Sequence, residues 1–506
     1  MPSPEHARGP EGEPFAALRE THTSVVLLLG DRAYKVKKPV ALPFVDLSTR
    51  ELRLADCRDE VDLNRRISPD VYLGVGELPA PADEAGPEPV VVMRRMPEVR
   101  RLSTLLAGPD EPEDAARCAL DAARQVAALH AGLPGLPDYD LPGTMERLWR
   151  EGREQTRVFE GRLLDPAALD EAHALAAEYL AGREPMLRAR QAAGLVRDGH
   201  GDLLTEDVFC LDDGARVLDC LEFDPLLRVG DVLLDIGFLA MDLSLHGHPD
   251  LARRVVDRYR ELTAEAHPAS LERHYVAYRA WVRAKVECLR SDGGDAAATG
   301  RARAALELCR RELRTGRVHL VLVGGLPATG KSTLAARVVD EGEADWVLLN
   351  SDELRKEQAG VAPGVRRDAA WGEGIYDTAH THRVYAELLR RATVALHGGM
   401  SVVLDASWST ALHRAAAAAV ARECAVPLTE IRCTAPDEVS MTRLSGRAAG
   451  EHVSDATPEV LRRMADHADP WPGAVEVDTA TSTPEQATAR VLAAVAARPA
   501  SSLPGG

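Results

Sequence analysis

Short apolar runs alternate with longer amphipathic stretches along the C-terminal part of the chain. Strands separated by helices form parallel sheets that are covered by helices on both faces, so this part is predicted to be an α/β domain. The predicted strands are 318–323, 346–350, 401–405, 428–433 and 475–477, and the predicted helices include 377–397, 410–424, 437–447 and 484–497.

The N-terminal part has a different pattern. The apolar run Ser24 to Leu29, the turn at Gly30 and Asp31 and the segment 33–38 predict a β-hairpin. Side chains two residues apart share a face of a strand, so Ala33 and Lys35 lie on one face. Glu60 lies on the next predicted helix, where it is placed to pair with Lys35.

Breaks in composition indicate where domains begin and end. Residues 1–14 are rich in Pro, Gly and Glu and lack the apolar core of a secretory signal. The sequence SDGGD at 291–295 interrupts the helical pattern before the α/β part. We expect a disordered leader at 1–14, an α+β domain at 15–290, a helical connector at 291–316, the α/β domain at 317–500 and a disordered tail at 501–506.

The decapeptide GGLPATGKST at 324–333 fits the phosphate-loop pattern of a glycine, four residues and Gly-Lys-Ser. It follows a predicted strand and opens a predicted helix, which is the context that this motif requires. Backbone N–H groups at such a helix N-terminus bind phosphate oxygens. The predicted ATP-binding residues are Gly325, Leu326, Pro327, Ala328, Thr329, Gly330, Lys331, Ser332 and Thr333.

Other side chains are placed to act with this loop. Lys331 is predicted to reach the β- and γ-phosphates, and the Ser332 hydroxyl to hold Mg²⁺. Asp405 ends an apolar strand and is a second candidate for the Mg²⁺ site, although a helix N-cap has the same pattern. Asp352 ends another strand and is placed to accept a proton from an attacking hydroxyl. Arg355, one turn further on, is a candidate for binding the acceptor.

Arg443 and Arg447 lie four residues apart, so they share a face of a predicted helix. Arginines there can neutralise the charge of a transferring phosphoryl group, whereas a solvated basic face has the same spacing. With the loop, Asp352 and Arg355, these residues resemble the P-loop kinases of the polynucleotide 5′-kinase, gluconate kinase and zeta-toxin-like group. That resemblance implies catalytic roles for Lys331, Asp352 and both arginines.

Only six residues are lysine, at positions 35, 37, 38, 285, 331 and 356, although Lys and Arg together number 61. With arginine filling ordinary cationic positions, lysine is expected to persist where a compact ammonium is needed. The cluster at 35–38 therefore indicates a second phosphate site. Lys35 is favoured for the phosphates, and Lys37 competes with it for that role.

Further along are His200-Gly201-Asp202-Leu203 and a strand followed by Asp219. A strand lysine, a helix glutamate, a catalytic-loop aspartate and a metal-binding aspartate are the parts of protein-kinase-like enzymes. The chain here resembles the aminoglycoside phosphotransferase family, in the motif HGDL, in Leu129-His130 and in Asp231 with Asp235. The resemblance implies that Lys35 and Glu60 bind ATP, that Asp202 is catalytic and that Asp219 binds metal.

The order of the two modules resembles a bacterial family of fused aminoglycoside phosphotransferase-like and ATP-binding proteins. The stretches AYKVKKPV, EVDLNRRISPDVYLGV and RDGHGDL carry this resemblance. Asp207 stands where the phosphotransferase family has a metal-binding Asn. An aspartate is still an oxygen ligand, so Asp207 either holds metal or marks an inactive module.

Composition limits the class of protein. The net charge of −18 does not favour nucleic acid as a partner, and the sequence has no apolar run long enough for a membrane helix. The eight cysteines form no Cys-x-x-Cys pair, which argues against structural zinc and for a reducing cytoplasm. The sequence gives no indication of the oligomeric state.

The sequence leaves three functional hypotheses. The first is an ATP-dependent phosphotransferase with two kinase-like modules that act on hydroxyl groups of small molecules, such as sugars, sugar acids or aminoglycoside-like compounds. The second is a nucleotide-binding regulatory protein with a degenerate N-terminal pseudokinase. The third is a polynucleotide 5′-hydroxyl kinase.

Overall fold

A computed structural model of the chain describes residues 9–21, 23–42, 45–79, 86–108, 112–343, 345–360, 377–445 and 458–498. Packing divides the chain into two compact units, and each unit combines segments that are distant in sequence. The predicted boundaries at 290 and 316 stay predictions, since this grouping follows packing and not sequence order. Unit 1 comprises Met1–Leu141, Arg190–Ala266 and Tyr275–Cys309, and unit 2 comprises Pro142–Ala189, His267–His274 and Arg310–Gly506.

The first part of the chain contains eleven strands and ten helices among its described residues. The strands are β1 Ala16–Glu20, β2 Ser24–Leu29, β3 Arg32–Lys37, β4 Ala41–Leu42, β5 Val45–Asp46, β6 Tyr72–Leu78, β7 Glu88–Arg94, β8 Val196–Asp198, β9 Val208–Leu211, β10 Gly214–Val217 and β11 Val229–Asp231. The helices are α1 Arg50–Arg65, α2 Leu102–Leu105, α3 Glu113–Gly132, α4 Leu141–Thr156, α5 Pro166–Ala192, α6 Pro225–Arg228, α7 Leu233–Leu245, α8 Pro249–Thr263, α9 Ala269–Asp292 and α10 Ala298–Thr315.

Unit 1 begins with an antiparallel sheet in the order β1-β2-β3-β7-β6. The predicted hairpin is confirmed as β2 and β3, whose register places Lys35 opposite Val26. Helix α1 packs on the sheet and buries Cys57 and Val61 against residues such as Val91. Beyond the sheet, β9 and β10 form a hairpin, β8 pairs with β11, and α3, α7 and α8 pack together. The predicted α+β class is confirmed for this part of the chain.

The remaining strands and helices confirm the predicted α/β class. The strands are β12 Leu320–Gly324, β13 Trp346–Asn350, β14 Ser401–Asp405, β15 Leu428–Thr434 and β16 Val475–Asp478. They form a parallel sheet in the order β13-β14-β12-β15-β16. The helices are α11 Lys331–Glu341, α12 Ser351–Gln358, α13 Thr378–His397, α14 Ala411–Glu423, α15 Asp437–Ser445, α16 Pro458–Asp466 and α17 Pro484–Ala496.

The segment 142–189 belongs to unit 2 although it lies far from the sheet in sequence. Arg183 of α5 is fully buried and donates hydrogen bonds to the carbonyls of Leu396 and Cys424, where α13 and α14 end. Glu178, also on α5, accepts two hydrogen bonds from the buried Arg317 guanidinium at 2.7 and 2.9 Å. A bidentate pair of this kind fixes both position and orientation, so α5 is an integral part of the unit.

The cysteines differ from the sequence expectation in one respect. Cys118 of α3 and Cys210 of β9 form a disulfide, while the six other cysteines are buried outside any disulfide. The two partners are 92 residues apart, so no spacing rule identifies the pair in advance. In the part of the chain that the structure describes, no helix has the length and apolar character that crossing a membrane requires.

Candidate active sites

The phosphate loop lies between β12 and α11, so the backbone N–H groups at the start of α11 face the loop. Gly325 has a φ of 141°, and a Cβ there would lie 2.4 Å from the carbonyl oxygen of Cys433. Only glycine therefore fits at this position. Lys331 and Ser332 occupy the first turn of α11, where the helix dipole also favours an anion.

The side chains of Asn350 and Asp405 meet where β13 and β14 end. Asn350 donates a hydrogen bond from Nδ2 to Asp405 Oδ2 at 2.6 Å, and its Oδ1 caps α12 by accepting the N–H of Asp352 at 2.8 Å. Asp405 is buried, and its Oδ1 has no hydrogen-bond donor among the described residues. Burial raises the pKa of Asp405, although the Lys331 ammonium and the Ser332 hydroxyl act in the opposite direction.

Two of the predicted arginines, Arg355 and Arg443, donate hydrogen bonds to other residues of the chain. Arg355 is buried and donates to Thr381 Oγ1 at 3.2 Å, near the start of α13. Arg443 donates to the carbonyl of Ala328 at 3.3 Å and to the carbonyl of Thr479 at 2.9 Å, so it lies against the phosphate loop. Arg447 lies outside the described residues.

The second candidate site lies in unit 1, between β3, α1 and the segment after β10. Lys35 Nζ lies 2.9 Å from Glu60 Oε1 and 3.0 Å from Asp219 Oδ1. Burial lowers the pKa of Lys35, but the carboxylates of Asp219 and Glu60 outweigh burial and raise it. Asp219 has a φ of 63°, an uncommon conformation that its backbone N–H supports by donating to the Tyr72 hydroxyl.

Three carboxylates of this site lie close enough to affect one another. Burial raises the pKa of Asp202 to about 6, against the attraction of Arg279 and Arg283. Burial also raises the pKa of Asp207, and the charges of Asp219 and Asp202 add to that shift. The charges of Arg279 and Arg283 near Asp202, and of Arg101 near Asp207, offset only part of these upward pKa shifts.

Asp235 fixes the backbone of the candidate catalytic loop at His200 and Gly201. Its carboxylate accepts the backbone N–H of His200 at 2.6 Å and that of Gly201 at 2.9 Å, and contacts His130 Nε2 at 3.0 Å. Although burial acts to raise it, the pKa of Asp235 is lowered by the hydrogen bond from His130. The His200 ring in turn contacts the carbonyl of Leu218 through Nε2 at 3.0 Å, which links this loop to the segment that leads to Asp219.

Both sites contain residues whose chemistry would suit a nucleotide and Mg²⁺. In unit 2, the unpartnered Oδ1 of Asp405 and the Ser332 hydroxyl are oxygen ligands beside an anion-binding helix N-terminus. In unit 1, the mutual repulsion of Asp207 and Asp219 fits a divalent cation. When bound, Mg²⁺ neutralises charge on the nucleotide phosphates.

The raised pKa of Asp202 gives a prediction about stability. Its carboxyl ionises near pH 3.8 in the unfolded chain and near 6 in the folded one, so ionisation opposes folding as the pH rises through this window. We expect Asp202→Asn to stabilise the protein by about 2–3 kcal/mol above pH 7 and by little below pH 4. Denaturation of both proteins with urea between pH 4 and 8 measures the difference, and a difference that does not vary with pH contradicts the prediction.

Comparison with known proteins places the chain in a family. The uncharacterized protein Rv2004c of Mycobacterium tuberculosis is 37% identical over 472 residues, which cover 92% of this chain and 93% of that protein. The chain belongs to this family. As the sequence predicts, this chain combines an α+β part with a P-loop part. A family model described as an AAA domain matches residues 320–471, from the start of β12 to the residues before β16.

Solved structures match parts of the chain. A sugar kinase from Janibacter sp. HTCC2649 is 20% identical, covers 36% of this chain and 97% of its own, and has a TM-score of 0.27. A choline/ethanolamine kinase family protein from Mesorhizobium loti is 15% identical, covers 62% of this chain and 91% of its own, and has a TM-score of 0.37.

The structure also identifies residues that the sequence analysis did not assign. Asn350 joins two strand ends, Thr479 holds Arg443, and Asp235 fixes the backbone of the catalytic-loop candidate. Asn350 could have been found as the last residue of a strand before a helix, which is an N-cap position. Thr479 carries no recognisable signal in the sequence.

Proposed function

We propose that the chain is an ATP-dependent phosphotransferase with two kinase-like modules, each of which transfers the γ-phosphate of ATP to a hydroxyl group of a small molecule. The observation that carries the proposal is the arrangement at the ends of three neighbouring strands in unit 2. There the phosphate loop with Lys331 faces Asp405, while Asp352 follows the next strand. Phosphoryl transfer depends on positioning and charge neutralisation, and these residues supply both.

In this mechanism each side chain has one task. The N–H groups of the loop and Lys331 bind the phosphates, and Arg443 neutralises charge that develops on the transferring group. Asp352 accepts the proton of the attacking hydroxyl, and Arg355 orients the acceptor. In unit 1, Lys35 binds the phosphates, Asp202 accepts the proton, and Asp207 with Asp219 are the residues that would hold Mg²⁺.

Two cavities beside the phosphate loop support separate places for nucleotide and acceptor. A cavity of about 430 Å³ is lined by Gly330, Thr333, Arg443 and Thr479 and suits the nucleoside part of ATP. A cavity of about 330 Å³ lies at the start of the loop and is lined there by Leu326. Its volume suits a small molecule such as a sugar.

Charged groups that line the smaller cavity are paired within the protein. Arg414 donates to the carbonyls of Trp408 and Pro470, both at 2.7 Å, and Asp469 accepts the N–H of Ala411 at 2.7 Å. The groups left for a ligand are mainly hydroxyls and indole rings, among them those of Ser407, Ser409 and Trp471. These groups favour a neutral, hydroxyl-bearing acceptor over a nucleic-acid strand.

The experiment is a screen for ADP release with sugars, sugar acids, aminoglycosides and 5′-hydroxyl oligonucleotides. Wild type, Lys35→Met and Lys331→Met are assayed separately, so that each activity is assigned to one module. We expect acceptor-dependent ADP with at least one small molecule. Absence of ADP with every class would contradict the proposal, and activity restricted to oligonucleotides would favour a polynucleotide kinase.

A second candidate function is that of a nucleotide-binding regulatory protein with a degenerate N-terminal module. The observation that supports this function is Asp207, which adds a negative charge to the candidate metal site. Tight ATP binding without turnover, unchanged by Asp202→Ala and Asp352→Ala, would support this candidate. Turnover that these two substitutions abolish would eliminate it.

A further inference from the structure

A second lysine lies beside Lys35 on the same face of β3 and is more deeply buried. Lys37 Nζ lies 2.7 Å from Asp56 Oδ2, 2.7 Å from Glu60 Oε2 and 2.6 Å from Glu222 Oε1. Only 1% of its side chain is exposed, so its charge is balanced by these carboxylates and not by water.

Three carboxylates converge here as they do around a divalent cation. One oxygen from each of Asp56, Glu60 and Glu222 lies within 4.8 Å of the others, a spacing that would let all three bind a single cation. The Lys37 ammonium occupies the position that a cation would take. Without that ammonium, the three carboxylates would repel one another in a buried site.

Glu60 connects this site to the phosphate-binding candidate. Its Oε1 contacts Lys35 and its Oε2 contacts Lys37, so both oxygens are engaged and the side chain has no exposed surface. Lys35 is 13% exposed, and its other partner, Asp219, is 56% exposed. Solvent therefore reaches this network of charges at Lys35 and Asp219, whereas Lys37 is enclosed by protein.

We propose that Lys37 is a positioning residue, an internal cation that fills the three-carboxylate site of Asp56, Glu60 and Glu222 and so holds Glu60 against Lys35. The part that concerns Lys35 rests on the proposed function of the N-terminal module, whereas the cation site does not. Lys37 thus acts through Glu60 and does not itself contact the nucleotide.

The cation site is tested by replacing the ammonium with a metal ion. Lys37→Ala removes the charge, and we expect the full-length variant to bind one more Mn²⁺ than wild type, as counted by electron paramagnetic resonance of free Mn²⁺ without nucleotide. The variant should also gain more in melting temperature from Mn²⁺ than wild type does. Lys37→Ala with Glu222→Gln should lose the additional ion.

An unchanged Mn²⁺ count in folded Lys37→Ala would overturn the cation site. Where the variant folds only when Mn²⁺ is present, the metal has replaced the ammonium, which supports the proposal. If Lys37→Ala folds neither with nor without Mn²⁺, the double variant Lys37→Ala with Glu222→Gln tests the cation site. Removing the negative charge of Glu222 should then restore folding. Failure of that double variant to fold would overturn the proposal.

Positioning is tested by nucleotide affinity, with Lys331→Met present so that the P-loop module does not contribute. We expect Lys37→Met to weaken binding of a fluorescent ATP analogue with Mg²⁺ by about tenfold or more, as loss of a supporting residue does. Lys37→Arg should recover part of the affinity because it keeps the charge. Lys38→Met is the matched control, since Lys38 pairs with the exposed Glu20.

The two tests separate the proposals. Unchanged affinity in Lys37→Met, with Lys35→Met strongly impaired, would overturn the positioning role alone. Unchanged affinity in Lys35→Met would contradict the proposed function of the N-terminal module. The Mn²⁺ count decides the cation site in either case.

Discussion

Replacing Lys331 with methionine is expected to lower ATP turnover by the P-loop module by about 100- to 1,000-fold, the usual cost of losing one charge that stabilises a transition state. Methionine keeps the length and apolar stem of the side chain but removes the ammonium. Lys331 opens α11 beside Asp405, so the helix N-terminus and the oxygen ligands remain in place. The loss should therefore appear mainly in kcat.

The measurement is steady-state ADP release with Lys35→Met present, which removes the contribution of the N-terminal module. Lys331→Arg serves as a second variant: it keeps the charge, but its planar guanidinium does not fit where a compact ammonium is required. We expect it to be nearly as impaired as Lys331→Met. Turnover close to wild type in both variants would show that Lys331 does not act on the phosphates.

The second large effect concerns stability. Arg317→Met is expected to destabilise unit 2 by about 3–5 kcal/mol, because the buried Glu178 carboxylate would lose the guanidinium that binds both of its oxygens. The side chains of Arg317 and Glu178 are only 8% and 3% exposed, so water does not replace the lost partner. Guanidinium denaturation followed by circular dichroism measures the loss.

Arg314→Met is the matched control for this prediction. Arg314 forms a comparable pair with Glu171, but half of the Arg314 side chain is exposed, so we expect a loss below about 1 kcal/mol. Arg317→Met combined with Glu178→Met should recover most of the stability, since the unpaired charge is then absent. Equal losses of stability in Arg317→Met and Arg314→Met would contradict the prediction that burial makes the Arg317–Glu178 pair the more important one.

Much of the P-loop unit could be predicted from the sequence. Each of its strands is a short apolar run between helices, and local patterns of this kind carry most of the information about a parallel sheet. The loop with Lys331 and the strand end with Asp405 were predicted for the same reason. The prediction that Asp352 ends a strand is wrong: β13 ends at Asn350, whose side chain caps α12, so Asp352 lies in the first turn of that helix. The hydrogen bond from Asn350 to Asp405 depends on the pairing of β13 with β14, which no local pattern in the sequence predicts.

The kinase-like module was less predictable because its contacts join distant parts of the chain. Lys35 with Glu60 followed from residue types on adjacent elements, 25 residues apart. Glu222 lies 185 residues from Lys37, so its contact with that lysine left no signal in the sequence. The sequence left open which lysine serves the phosphates, and the differing burial of Lys35 and Lys37 supports Lys35.

Helix α5 has a consequence for how the protein is made. Its residue Glu178 precedes Arg317 by 139 residues, which take roughly 7 to 28 s to synthesise at about 5–20 residues per second. During that interval α5 emerges from the ribosome, while its partners Arg317 and the ends of α13 and α14 have not yet been synthesised. The second unit therefore cannot fold in order of synthesis, and α5 must wait for residues as far along the chain as Cys424.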